Sequence, residues 1–102
     1  MVAILTPRKA QEVLACNVRA RRLAMGLTQV GLSKRAGVAL ASLRKFEQTG
    51  AISLESLLKL LMVVGGLERL AEASAPEHGE FSSIDEVLEV QEKPTRKKGW
   101  RS

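Results

Sequence analysis

Apolar residues recur along most of this chain at helical rather than alternating spacing, and the periodic stretches are separated by capping and turn residues. Thr6 before Pro7 reads as an N-cap followed by proline at the first helical position, where its missing N–H has no intrahelical partner to lose. A helix is therefore predicted to begin near residue 7. Leu14, Val18 and Met25 recur near the helical period with Arg19, Arg21 and Arg22 between them, and Gly26 supplies a left-handed stop, so this helix should end at about Met25. The segment Val2–Leu5 reads equally as a short strand or a disordered arm.

Thr28 is placed to cap a short second helix, in which Val30 pairs with Lys34, and Leu32 with Arg35 and Ala36, at neighbouring helical spacings. Gly37 falls where the chain must turn sharply, because glycine enters the left-handed region without a Cβ clash. A third helix is predicted from about Ala39 to Glu47, with Val38, Leu43 and Phe46 inward and with Gln48, Thr49 and Gly50 ending it. Ser53 caps a fourth, in which Leu54, Leu57, Leu58, Leu61 and Val64 cover one face and Leu60 and Val63 widen it. So broad an apolar surface implies a central helix, or one also buried against a partner. Gly65 and Gly66 stop it, and the run "LERLAEA" makes a short fifth helix.

Beyond a breaker-rich loop, Ser83 and Glu86 form a capping-box pattern ahead of a short amphipathic helix expected from about Ile84 to Gln91. The final run "KPTRKKGWRS" holds too little apolar surface to fold alone. Four segments result: an N-terminal arm and the start of the first helix (1–13), a helical domain (14–73), a loop and short acidic helix (74–92), and a basic disordered tail (93–102). The expected class is all-α, a five-helix domain with a short C-terminal helix.

Composition agrees with helices packed on aliphatic residues, since tyrosine is absent and aromatics make up 3% of the 102 residues. The lone Cys16 has no disulfide partner and reads as a small buried hydrophobe in a reducing compartment. His78 stands in a loop with no cysteine or second histidine nearby, so no metal site is expected, and no motif calls for a cofactor. No apolar run reaches the roughly 20 residues of a membrane span, and the first residues lack a signal-peptide core, so a cytoplasmic, nucleoid-associated protein is expected.

Charge sharpens the picture more than composition does. The net +5 conceals nine basic residues against two acids in 1–52, nine acids against two basic residues in 53–92, and five basic residues with no acid in 93–102. A basic front suits a polyanion, and nucleic acid is the first partner to consider. Catalysis would need a nucleophile beside a base, paired carboxylates in a cleft or a phosphate-binding glycine loop. None is visible, and the acids of 53–92 are spread over helix surfaces as solvated faces are, so an enzyme is not expected.

Two short helices joined by a glycine-containing turn define a helix-turn-helix, whose second helix can enter the major groove. Residues 27–50 have that layout. They resemble the XRE family of prokaryotic and phage regulators in "GLTQ" at 26–29, "AGV" at 36–38 and Glu47 followed by Gly50, and the run "VRARRLAMGLTQ" extends the likeness to roughly residues 14–72. The resemblance implies a repressor-like fold that binds double-stranded operator DNA as a homodimer. It implies that Thr28 and Gln29 hold a DNA phosphate, that Ala39, Leu40, Ala41 and Lys45 face the groove flanked by Ser42 and Arg44, and that Gln48 meets the backbone. Arg22 and Glu47 match a pair that ties the first helix to the end of the third. Relatives often carry polar side chains where "ALA" stands at 39–41, so readout here should lean on thymine methyl contacts and DNA shape, with Arg44 or Lys45 donating to guanine.

One reading helix spans only about four or five base pairs, which calls for two half-sites and a dimer. Helix 4 with Leu67, Leu70 and the segment near Val87 offers the interface, to a second copy or equally to another partner. The acidic helix and basic tail resemble the extensions of HipB-type antitoxins, which repress their own operon and bind a HipA-like kinase toxin. On that likeness Trp100, with Arg96, Lys97, Lys98 and Arg101, anchors the tail in the partner; the same tail suits DNA phosphates, or a loose solubilising end. A stand-alone or phage-type repressor and a protein-interaction module with weak DNA binding remain the alternatives.

Overall fold

A computed structural model describes residues 5–77, and among them every regular element is helical. Five helices follow in order: α1 (Pro7–Ala24), α2 (Gln29–Ala36), α3 (Leu40–Thr49), α4 (Leu54–Val64) and α5 (Leu67–Ala73). The chain divides into two compact units, Met1–Ala71 and Glu72–Ser102, and the core lies in the first. The arm at 2–4, the helix expected at 84–91, His78 and the tail residues Arg96, Lys97, Lys98, Trp100 and Arg101 fall outside the described residues.

Local chemistry sets the helix ends. The hydroxyls of Thr6, Thr28 and Ser53 accept from the N–H groups of Lys9, Gly31 and Ser56, each satisfying a first-turn donor that has no carbonyl one turn back. Gly37 caps α2 and Gly50 caps α3, at φ 73° and 86°. At Gly50 glycine is required twice over: the backbone is left-handed, and a Cβ there would lie 3.0 Å from the carbonyl carbon of Gln11. That close approach lets the Gln11 side-chain amide donate to the Gly50 carbonyl and joins α1 to the end of α3.

The core is built where α1 packs on α3 and α4 and where α2 packs on the same two helices. Ala15 and Val18 come from α1, Leu32 from α2, Val38 from the turn, Leu43 and Phe46 from α3, and Leu57, Leu60, Leu61 and Val64 from α4. Leu67 and Leu70 of α5 lie half-buried against it. Among the described residues no helix is long and apolar enough to cross a membrane.

Several expectations need correcting. Met25 is exposed, because it caps α1 where the chain leaves the helix. Cys16 is exposed as well, one position off the buried stripe of Ala15, Val18 and Arg22. Leu54 is 67% exposed: it shares the face of Leu57 and Leu61 but sits in the first turn, and no described residue covers it. Leu60, expected only to widen the apolar face, is fully buried. Finally, α3 starts at Leu40 with Ala39 as its cap and runs to Thr49, so Gln48 lies inside the helix rather than after it. The helix runs on to Thr49 because the left-handed Gly50 closes it with its N–H donating to the Phe46 carbonyl, while the Thr49 hydroxyl donates to the Lys45 carbonyl.

Candidate nucleic-acid interface

The α2–α3 corner is closed from both sides by one serine. The N–H groups of Gly37 and Val38 both donate to the Ser33 carbonyl, and the Ser33 hydroxyl donates to the Val38 carbonyl at 2.6 Å. With Leu32 and Val38 buried on either side of the turn, the corner fixes how α3 leaves α2. Periodicity and charge give Ser33 no prominence in the sequence. Its only signal there is a polar residue four positions before the turn glycine.

α3 is anchored by its inner face, where Leu43 and Phe46 are buried. Its outer face carries Ala41, Ser42, Arg44, Lys45 and Gln48, all exposed, with Ala39 exposed at the start and Leu40 half-buried. Arg44 and Lys45 thus project from a rigidly held helix. Beside Lys45 a cleft of about 350 Å³ runs to the start of α4, lined by Ser42, Ala51, Ile52, Ser53 and Ser56, which gives this edge a border of hydroxyls. At the other edge Thr28 caps α2, and the Gln29 and Val30 N–H groups behind it have no carbonyl one turn back within the helix.

Glu47 closes the inner end. Arg22 Nε donates to Glu47 Oε2 at 2.8 Å and Arg22 Nη2 to Oε1 at 3.0 Å, a two-bond fork between side chains only 8% and 4% exposed. Arg22 Nη1 reaches on to the Leu27 carbonyl, so one guanidinium joins α1, the α1–α2 loop and α3. The Gln29 amide nitrogen also donates to Glu47 Oε1 at 3.0 Å, while Arg44 Nε donates to Gln29 Oε1 at 3.4 Å. The structure therefore brings Arg22, Gln29, Arg44 and Glu47 into one network, and Gln29, expected to point at phosphate, has its side chain turned inward to the carboxylate.

The front acids are consumed locally. Glu47 is enclosed by Arg22, with Arg19 at 4.0 Å, and Glu12 lies within 4 Å of Arg8 and Lys9. Lys34, Arg35, Arg44 and Lys45 carry no such ion pair with a described acid, so the α2–α3 face presents net positive charge. Among the described residues no group of three or more His, Cys, Asp or Glu could hold a metal ion.

Two short helices at a sharp glycine corner, the second buried on one side and cationic on the other, define a helix-turn-helix module. Comparison with protein families gives the same answer: residues 18–66 match the helix-turn-helix family HTH_3, the XRE type. The chain carries an XRE-type helix-turn-helix domain, a DNA-binding regulatory module and not a catalytic one. It matches no curated protein and no solved structure.

Proposed function

We infer that this protein is a sequence-specific transcriptional repressor that binds operator DNA as a homodimer. The observation that carries this reading is the outer face of α3, where Arg44 and Lys45 project from a helix anchored by Leu43 and Phe46 and carry no carboxylate partner among the described residues. Ala39, Leu40, Ala41 and Ser42 give the start of the helix a small, largely apolar surface suited to thymine methyl groups, and Gln48 extends the contact toward the backbone. Thr28 and the α2 N-terminus supply backbone donors for a phosphate. Dimerisation draws support from α4, where Leu54 and Met62 are 67% and 74% exposed, and from the short reach of a single reading helix.

A finer reading makes the protein the antitoxin of a toxin–antitoxin operon that binds a HipA-like kinase. It rests on the likeness of the acidic helix expected at 84–91 and the basic tail at 93–102 to HipB-type extensions, with Trp100 and its neighbouring Arg and Lys residues as the anchor. A stand-alone repressor shares every feature of the helix-turn-helix and lacks only that partner.

Fluorescence anisotropy with the full chain and a duplex from its own upstream region tests the first reading. Two chains should bind per palindromic site, with affinity falling steeply as salt rises and with a scrambled duplex bound less tightly. Equal affinity for both duplexes would remove sequence-specific repression. Co-expression with the reading frame beside its gene tests the second: that frame should encode a kinase that co-purifies with the full chain and less well after truncation at Pro94, and no such kinase or no co-purification would leave the stand-alone reading.

A further inference from the structure

The contact between Gln29 and Arg44 places a residue of α2 in charge of an arginine on the outer face of α3. The direction of the amide follows from chemistry. A carboxylate only accepts, so Gln29 must turn its nitrogen to Glu47 Oε1; its oxygen then faces outward, and a guanidinium, which only donates, meets it through Arg44 Nε. Glu47 in turn is held by two bonds from buried Arg22, so the chain of fixed orientations starts inside the core and ends on the outer surface of α3. With Nε engaged, the Nη groups of this exposed arginine make no hydrogen bond or ion pair with a described residue, and a guanidinium with both Nη groups left over can offer guanine O6 and N7 an end-on pair of donors.

We propose that Gln29 is a positioning residue for base recognition: it orients Arg44 end-on toward a guanine in each half-site, rather than holding a phosphate through its own side chain. This rests on the repressor reading above. The early part of α3 offers no hydrogen-bond donor from Ala39, Leu40 or Ala41 side chains, which leaves Arg44 and Lys45 for guanine, and of the two only Arg44 is oriented by a contact with α2. At 3.4 Å the Gln29–Arg44 bond is long, and its role is direction rather than affinity.

Selection of bound sequences from a pool of duplexes with a randomised core, using full-length protein, tests this. Arg44→Ala should lose one guanine from the consensus of the unaltered protein. Gln29→Lys keeps a donor for Glu47 and adds a charge attractive to phosphate, but has no acceptor for Arg44. It should still select bound sequences from the pool and yet lose preference at that same guanine alone, from the about 5- to 150-fold of a good bidentate contact to below about 3-fold. Gln29→Met should lose the same position alone, with thermal stability close to that of the unaltered protein, because Glu47 keeps both bonds from Arg22. An unchanged consensus in Gln29→Lys and Gln29→Met overturns the positioning role, as does a uniform loss over all positions in either variant. If the unaltered protein selects no consensus, the repressor reading itself fails and takes the proposal with it; that outcome is distinct, since it appears before any substitution is compared.

Discussion

The two faces of α3 hold their charges in opposite ways. On the inner side Glu47 is 4% exposed and receives hydrogen bonds from Arg22 and Gln29, beside the buried rings and chains of Phe46 and Leu43. On the outer side Arg44 has one long hydrogen bond and Lys45 has no ion pair with a described acid, and both stand in solvent. One helix thus carries a charge that the fold cannot release and charges that the fold does not use. The lesson is that the fold uses one charge for stability and leaves others a few positions away free for the recognition proposed above, so substitutions on the two faces should separate cleanly.

The largest effect is expected on the inner face. Glu47→Ala removes the acceptor for a buried guanidinium and should cost about 3–5 kcal/mol, because the charge left behind keeps its desolvation penalty without its partner. For a domain of this size that lowers Tm by more than about 10 °C. The paired replacement Arg22→Met with Glu47→Leu should recover most of the loss, since no uncompensated charge then remains. Thermal unfolding of the three proteins decides the matter, and a cost below about 1 kcal/mol for Glu47→Ala would place the pair with exposed bridges instead.

A smaller effect is expected at the corner that presents the outer face. Gly37 has φ 73° and open space around its missing Cβ, so Gly37→Ala should cost only the left-handed penalty of about 1–2 kcal/mol. Gly50→Ala adds to that penalty a contact of 3.0 Å with the Gln11 backbone and should cost more. Urea denaturation that ranks them in the reverse order would contradict the packing of α1 on the end of α3.

Much of this comparison is legible in the sequence, and the limits have physical causes. The caps at Thr6, Thr28 and Ser53 and the stops at Gly37 and Gly65 are local devices, readable from a few residues each. The inward positions of α3, Leu43 and Phe46, follow from periodicity. Periodicity reports which face is apolar but not how far a neighbour covers it, which is why Leu54 and Met25 are more exposed than their spacing suggests. The predicted end of α3 falls short because Gln48 and Thr49 lead into a glycine stop, whereas the cap itself, with the Gly50 N–H donating to the Phe46 carbonyl, keeps both residues in the last turn. Interactions between residues far apart in sequence are the least legible. The positions of Arg22 and Glu47 stand out only by resemblance, and the bridge from Glu47 through Gln29 to Arg44 has no sequence signal, because it depends on α2 meeting α3.

The smallest effect on stability should come from Arg44→Ala combined with Lys45→Ala, and the same pair gives the most direct test of the claim that the outer face of α3 meets DNA. The measurement is the affinity of the full-length double variant for its promoter duplex across a salt series, with thermal stability recorded in parallel. Stability should stay within about 0.5 kcal/mol of the unaltered protein. Affinity should fall by at least the roughly 5- to 150-fold of one base-contacting arginine, and the salt slope should flatten by about one unit for each phosphate that the variant no longer neutralises. Binding of unchanged strength and unchanged salt slope would show that DNA is met by some other surface.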